Sequence, residues 1–84
     1  MSNSEDIVDT SVAVVPKNAR EEIRLGLAEF NGYDLVSIRV WFEPQDGGAR
    51  RPGKSGFMCK VSLLPDIIAG LQAVEAKARD AGLL

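Results

Sequence analysis

The hydrophobic positions of this chain follow two periods, one in the middle of the sequence and another near its end. Apolar residues alternate with polar or small residues over 22–28 and 34–42, which is the spacing of strands with one buried face. Between the two runs stands Asn31-Gly32, which favours a tight hairpin turn because both residues tolerate positive φ. The pattern therefore predicts an antiparallel hairpin.

Two sets of side chains alternate along the second strand of this hairpin, and they differ in chemistry. One set is apolar, so we expect it to face a core. The other set mixes apolar, polar, basic and aromatic side chains. The first set is Val36, Ile38, Val40 and Phe42, and the second is Leu35, Ser37, Arg39 and Trp41.

Proline and glycine divide the rest of the chain. Residues 44–48 predict a turn, and residues 50–56, rich in glycine, proline and basic side chains, predict a mobile connection. A last strand is expected over 57–63. Pro65 and Asp66 suit the first turn of a helix, and apolar residues at helical spacing continue that helix to Ala81. The fold class is therefore α+β, a small antiparallel sheet followed by one helix.

The beginning of the chain is acidic and differs from the rest. We expect residues 1–18 to form a flexible arm, with a short strand over 12–15 as the one element that the pattern allows, and residues 19–84 to form the domain. Because 84 residues bury only a small core, and one cysteine with no histidine gives neither a disulfide nor a zinc site, self-association is the expected supplement.

One helix covers only one face of a sheet, so a second face needs a partner. The uncovered face combines basic side chains with aromatic rings. Proteins bind single-stranded nucleic acid with this combination, because cations contact the phosphates and rings stack on the bases. The net charge of −2 and the pI of about 5.0 weigh against a broad nucleic-acid binder. Residues 50–60, however, hold four basic side chains and no acidic one. An alternative is that Trp41 lies in a dimer interface and the arginines are merely solvated. The face carries Arg24, Leu35, Arg39, Trp41, Met58 and Lys60.

Catalysis is not expected. Histidine is absent, and Cys59, the single thiol, falls on the inward face of its strand, where thiols are inert. We therefore expect no enzyme, no cofactor, no metal and no small-molecule substrate. The chain shows no apolar run long enough for a membrane span and no basic leader, so we expect no membrane partner and a cytoplasmic location, with association with the nucleoid left open.

A series of short motifs over residues 20–71 resembles the positive-cofactor-four transcriptional coactivator family, in particular its bacterial branch. The order of the motifs matches, although no single one is specific. They are Phe30-x-Gly32, Ile38-Arg39, Trp41-Phe42, Arg51-Pro52-Gly53-Lys54 and Ser62-Leu63-x-Pro65.

The resemblance implies a four-stranded curved antiparallel sheet with a C-terminal helix, forming a homodimer. It implies binding of single-stranded DNA with low sequence specificity, in transcription regulation or in protecting exposed strands, with the transcription machinery as a further partner. From the resemblance and the basic positions beside it, the expected binding residues are Arg24, Phe30, Arg39, Trp41, Phe42, Arg50, Arg51, Lys54 and Lys60.

The sequence leaves two questions open. Alternation turns Phe42 inward whereas the resemblance makes it a stacking ring, and a β-bulge near Val40 would reconcile the two. Three positions that are basic in the family hold uncharged residues in this chain, namely Asn31, Tyr33 and Ser55. Fewer cations weaken DNA binding, so a protein–protein interaction module on the same dimeric fold is the alternative.

Overall fold

The computed structural model describes residues 8–84, with side chains from residue 10 onward. Four strands form one antiparallel sheet in the order of the sequence, and a single helix follows, which confirms the predicted fold class. The elements are β1 Val8–Pro16, β2 Glu21–Phe30, β3 Tyr33–Phe42, β4 Arg51–Lys60, a 3₁₀ turn Val61–Leu63 and α1 Leu64–Asp80. No helix among the described residues is long and apolar enough to cross a membrane.

The N-terminal part of the sheet extends further than the pattern indicated. The short strand allowed over 12–15 is part of β1, which pairs with β2 along its length. The first seven residues of the predicted acidic arm lie outside the described residues, and the domain boundary at residue 18 stays a prediction. The turn into β2 is closed by Asn18, whose Oδ1 accepts from the backbone of Arg20 and Glu21. Side-chain hydrogen bonds lower the pKa of the Glu21 carboxyl, with the larger effect from Asn18 and a smaller one from Lys17.

The mobile connection predicted for residues 50–56 is wrong, because β4 begins at Arg51. Proline and glycine are tolerated here since β4 is an edge strand with a bulge. Residues 53–55 stand opposite Val40 alone, and Gly56 closes the bulge at φ 132° with its backbone against Ile38 and Arg39. The predicted end of the last strand at residue 63 is also wrong, since β4 stops at Lys60 and residues 61–63 form the 3₁₀ turn.

Strand register confirms the two faces that the alternation predicted. Asn31 and Gly32 take φ of 52° and 81° at the hairpin, and β2 pairs with β3 without a break from Glu21–Phe42 to Phe30–Tyr33. We call one side the apolar face; it bears Ile23, Leu25, Leu27, Val36, Ile38, Val40, Phe57 and Cys59. We call the other side the basic–aromatic face; it bears Arg24, Phe30, Tyr33, Leu35, Arg39, Trp41, Met58 and Lys60.

Helix α1 covers the apolar face only in part. Its first turns, with Leu64 and Ile67, border a groove of about 350 Å³ whose other wall includes Leu25 and Ile38. No helical residue is buried, and Val74 further along is 65% exposed. One chain therefore leaves much of the apolar stripe of its helix in contact with water.

Strand β1 approaches β2 closely at a bulge. Val12 is an extra residue there, and Gly26 of β2 faces the backbone of Thr10 and Ser11. A Cβ built on Gly26 would lie 1.9 Å from the Thr10 carbonyl oxygen. This close approach requires glycine at position 26.

Substituting Gly26→Ala should therefore destabilise the pairing of β1 with β2. Because the added methyl meets backbone rather than a flexible side chain, we expect the free energy of unfolding to fall by about 1–3 kcal/mol. Chemical denaturation at fixed protein concentration measures this change. Gly48→Ala is the control, since its nearest neighbour is the Asp46 side chain at 3.2 Å. Equal stability of the two variants would contradict the close approach.

Candidate nucleic-acid interface

A cross-strand pair of arginines lies toward one end of the basic–aromatic face, away from the hairpin. Arg24 of β2 stands directly opposite Arg39 of β3. Like charges in opposite positions repel, so each guanidinium needs another partner. The two arginines find different ones, and this difference determines which of them remains available to a ligand.

Arg24 lies over the indole ring of Trp41. Its guanidinium carbon is 3.9 Å from the ring centroid, a cation–π contact. Trp41 Nε1 is buried and has no hydrogen-bond partner in the part of the chain that the structure describes. The ring is thus covered by Arg24 on one side.

Glu22 holds the arginines at this end of the face. It lies opposite Trp41, and its carboxylate accepts from Arg24 Nε at 2.6 Å and from Arg50 Nη1 at 3.1 Å. Arg50 also approaches Glu43 at 3.8 Å. Glu22 is not among the residues expected from the sequence, although its period-2 spacing from Arg24 puts both residues on one face.

Arg39 is bound in a different way. Its Nη1 donates to the carbonyl oxygen of Gly53 at 3.1 Å, which ties β3 to the bulge of β4. Lys54 in that bulge and Lys60 at the end of the strand are both exposed. Since Gly53 accepts from one guanidinium nitrogen, Arg39 keeps further donors for a ligand.

A groove of about 650 Å³ lies at the hairpin end of the same face. Phe30 and Tyr33 form a cross-strand pair on its lining, together with Leu35 and Lys60. Tyr33 is 67% exposed. The arrangement places two aromatic rings and one ammonium group beside each other, the combination that suits a base and its phosphate.

Small residues separate the two ends of the basic–aromatic face. Ala28 and Ser37 are buried there, at 5% and 2% exposure, and Gly26 stands opposite Ser37. Neighbouring side chains therefore cover this part of the face, and its basic and aromatic groups lie toward the two ends.

Phe42 and Arg51 are not brought to this face. They are cross-strand partners on the side of the apolar face, where the ring of Phe42 lies against Gly53. The bulge opposite Val40 belongs to β4 and leaves β3 regular, so it does not turn Phe42 over. Arg51 is 3.8 Å from Asp46 in an exposed ion pair of little energetic weight. The binding roles of Phe42 and Arg51 stay predictions. Trp41 is the ring that shares a face with Arg24 and Arg39.

Comparison with known proteins agrees with this geometry. The sequence profile described as Transcriptional Coactivator p15 (PC4) matches residues 17–69, more than half of the chain. The crystal structure of a PC4 homolog from Burkholderia pseudomallei superposes with a TM-score of 0.73 at 26% identity, covering 81% of this chain and 90% of that one. No curated protein sequence matches significantly.

The matched profile and the shared fold assign this chain to the class of coactivator-like, nucleic-acid-binding domains. This chain belongs to the PC4 family, as its motifs indicated.

The stacked pair Arg24 and Trp41 generates a spectroscopic prediction. Trp41 is the only tryptophan, so its fluorescence reports on this pair alone. Arg24→Ala should uncover the ring, shift its emission to longer wavelength and increase quenching by acrylamide. Arg79→Ala, which removes an exposed arginine paired with Glu75 on the helix, is the matched control. Identical spectra for both variants would show that Arg24 does not cover the ring.

Proposed function

We propose that this protein binds single-stranded DNA with low sequence specificity, regulating transcription or protecting exposed strands, without enzymatic activity and in the cytoplasm. The observation that supports this most is the joint position of Arg24, Arg39 and Trp41 on the sheet face opposite the helix. Phosphates would contact the cations, and bases would stack on exposed rings. Neither contact carries much base information, hence the low specificity.

The binding track would cross the face from one end to the other. Lys60 with Phe30 and Tyr33 would receive one part of the strand, and the arginine end would receive the next. Lys54, exposed in the β4 bulge near Arg39, would add a further phosphate contact.

A homodimer is part of the same proposal. The helix buries none of its residues in one chain, and its apolar stripe includes Leu71 and Val74, which are 58% and 65% exposed. A second copy would cover this stripe and complete the groove beside Leu25 and Ile38. Because exposed apolar surface of this kind is unfavourable in water, association stabilises the fold.

The second candidate is a protein–protein interaction module, with components of the transcription machinery as its partners. Neutralisation of Arg24 and Arg50 by Glu22 and the net charge of −2 favour it. It differs from the first candidate in a measurable way, because a protein that has lost its DNA surface should show no salt-dependent affinity for oligonucleotides.

Titration of a fluorescent oligothymidylate at several salt concentrations tests DNA binding. We expect log K to fall linearly with log salt, by about 0.7 per phosphate contacted. In the double variant Lys54→Gln/Lys60→Gln the slope should become shallower by about 1.4, because two phosphate contacts are lost.

The matched control is Lys17→Gln/Lys77→Gln, which removes the same charge at the β1–β2 turn and on the helix. If the wild type fails to bind at low salt, the proposed function is wrong. If both double variants weaken binding equally, the basic–aromatic face is not the binding surface.

Sedimentation equilibrium tests the homodimer. We expect twice the chain mass of 9.1 kDa for the wild type. Leu71→Glu should shift the population to monomer, since a charge in an apolar interface stays desolvated without a partner. Ala76→Glu is the control, because it points away from the apolar stripe by half a helical turn. A monomeric wild type would refute the dimer.

A further inference from the structure

Glu22 occupies an unusual position for an acidic residue in a face of this kind. Its side chain is only 17% exposed, and its two carboxylate oxygens are divided between two arginines, Oε2 to Arg24 and Oε1 to Arg50. Arg24 and Arg50 remain 27% and 28% exposed, so solvent and ligands still reach both. A single anion thus bridges two accessible cations.

A phosphate diester presents the same chemistry to these arginines as the Glu22 carboxylate does. Both are anions with two oxygen acceptors, and a guanidinium donates to either in the same fork geometry. A phosphate that contacts Arg24 must therefore displace Glu22 or share the guanidinium with it. In the second case the two anions repel each other across a few ångströms.

The same contact fixes Arg24 on the indole. Arg24 Nε is held by Glu22 while its guanidinium carbon lies 3.9 Å from the Trp41 centroid. A base that stacks on this side of the ring must first remove Arg24. Glu22 consequently opposes both elements of the proposed binding mode, the phosphate contact and the stacking.

We propose that Glu22 is a built-in competitor of nucleic-acid phosphate, which holds Arg24 and Arg50 in intramolecular ion pairs and weakens binding at the arginine end of the face. This inference rests on the proposed function. The carboxylate acts as an internal counterion that stays attached to the protein. It reduces both the affinity and the number of mobile ions released when DNA binds.

Glu22→Gln tests this competition, with Glu29→Gln as its matched control. The two glutamates belong to the same strand, on opposite faces, and each substitution raises the net charge by one unit. Any difference between the variants therefore comes from the position of the charge. The readout is the anisotropy of labelled oligothymidylate over a salt series of about 50–200 mM.

We expect Glu22→Gln to bind about five- to tenfold more tightly than Glu29→Gln at the lowest salt, with a slope steeper by about 0.7 for each arginine that gains a phosphate. Glu22→Ala, which removes the hydrogen-bond acceptor as well, should change affinity in the same direction. Equal binding by the variants Glu22→Gln and Glu29→Gln would overturn the inference. So would weaker binding by Glu22→Gln, because Glu22 would then orient the arginines for DNA.

The triple variant Glu22→Gln/Arg24→Gln/Arg50→Gln tests whether these two cations are the ones involved. Its affinity should equal that of Arg24→Gln/Arg50→Gln, since the gain requires a guanidinium released from Glu22. A gain that persists in the absence of both arginines contradicts the mechanism. Failure of the wild type to bind oligothymidylate overturns the proposed function itself, whereas a wild type that binds like both single glutamate variants overturns only the role of Glu22.

Discussion

A four-stranded sheet has two faces, and residues 8–84 supply one α-helix to cover them. The helix follows β4 through the 3₁₀ turn and leans over the apolar face, where it leaves a groove and an exposed stripe that includes Leu71 and Val74. Hydrophobic burial within one chain is therefore incomplete on that side, and the basic–aromatic face is free on the other. The proposals of a second copy on the apolar face and of a nucleic acid on the basic–aromatic face both follow from this division.

Electrostatics decides how strong the free face is as a binding surface. Arg24 and Arg39 stand opposite each other, yet Arg24 is engaged by Glu22 and Trp41 while Arg39 is tied to the β4 bulge through Gly53. The nominal number of cations thus overstates the positive charge that a phosphate meets. The described part of the chain also brings two acids to this surface, Glu22 on the face itself and Asp34 on the lining of the groove at its hairpin end.

Much of this fold could be predicted from the sequence, because alternation and turn chemistry are local signals. The Asn31-Gly32 hairpin, the two faces of β3 and the helix were predicted from them. The first half of β4 was not, since its glycines and Pro52 signal a loop unless the bulge and the edge position are known. The role of Glu22 could not be predicted either, because Arg50 is 28 residues away in the sequence and only the folded chain brings it to the Glu22 carboxylate. The family motifs put Phe42 together with Arg39 and Trp41, whereas the sheet register places the ring of Phe42 on the opposite side of the sheet.

If nucleic acid binds the basic–aromatic face, the resonances of that face should respond to it and those of the helix should not. This can be measured by titrating an isotope-labelled sample with oligothymidylate and following amide and indole resonances in NMR spectra. We expect the indole N–H of Trp41 and the amides around Arg24, Arg39 and Lys60 to shift with added oligonucleotide, and those of residues 67–78 to stay in place. Shifts confined to the helix, or none at saturating oligonucleotide and low salt, would contradict it.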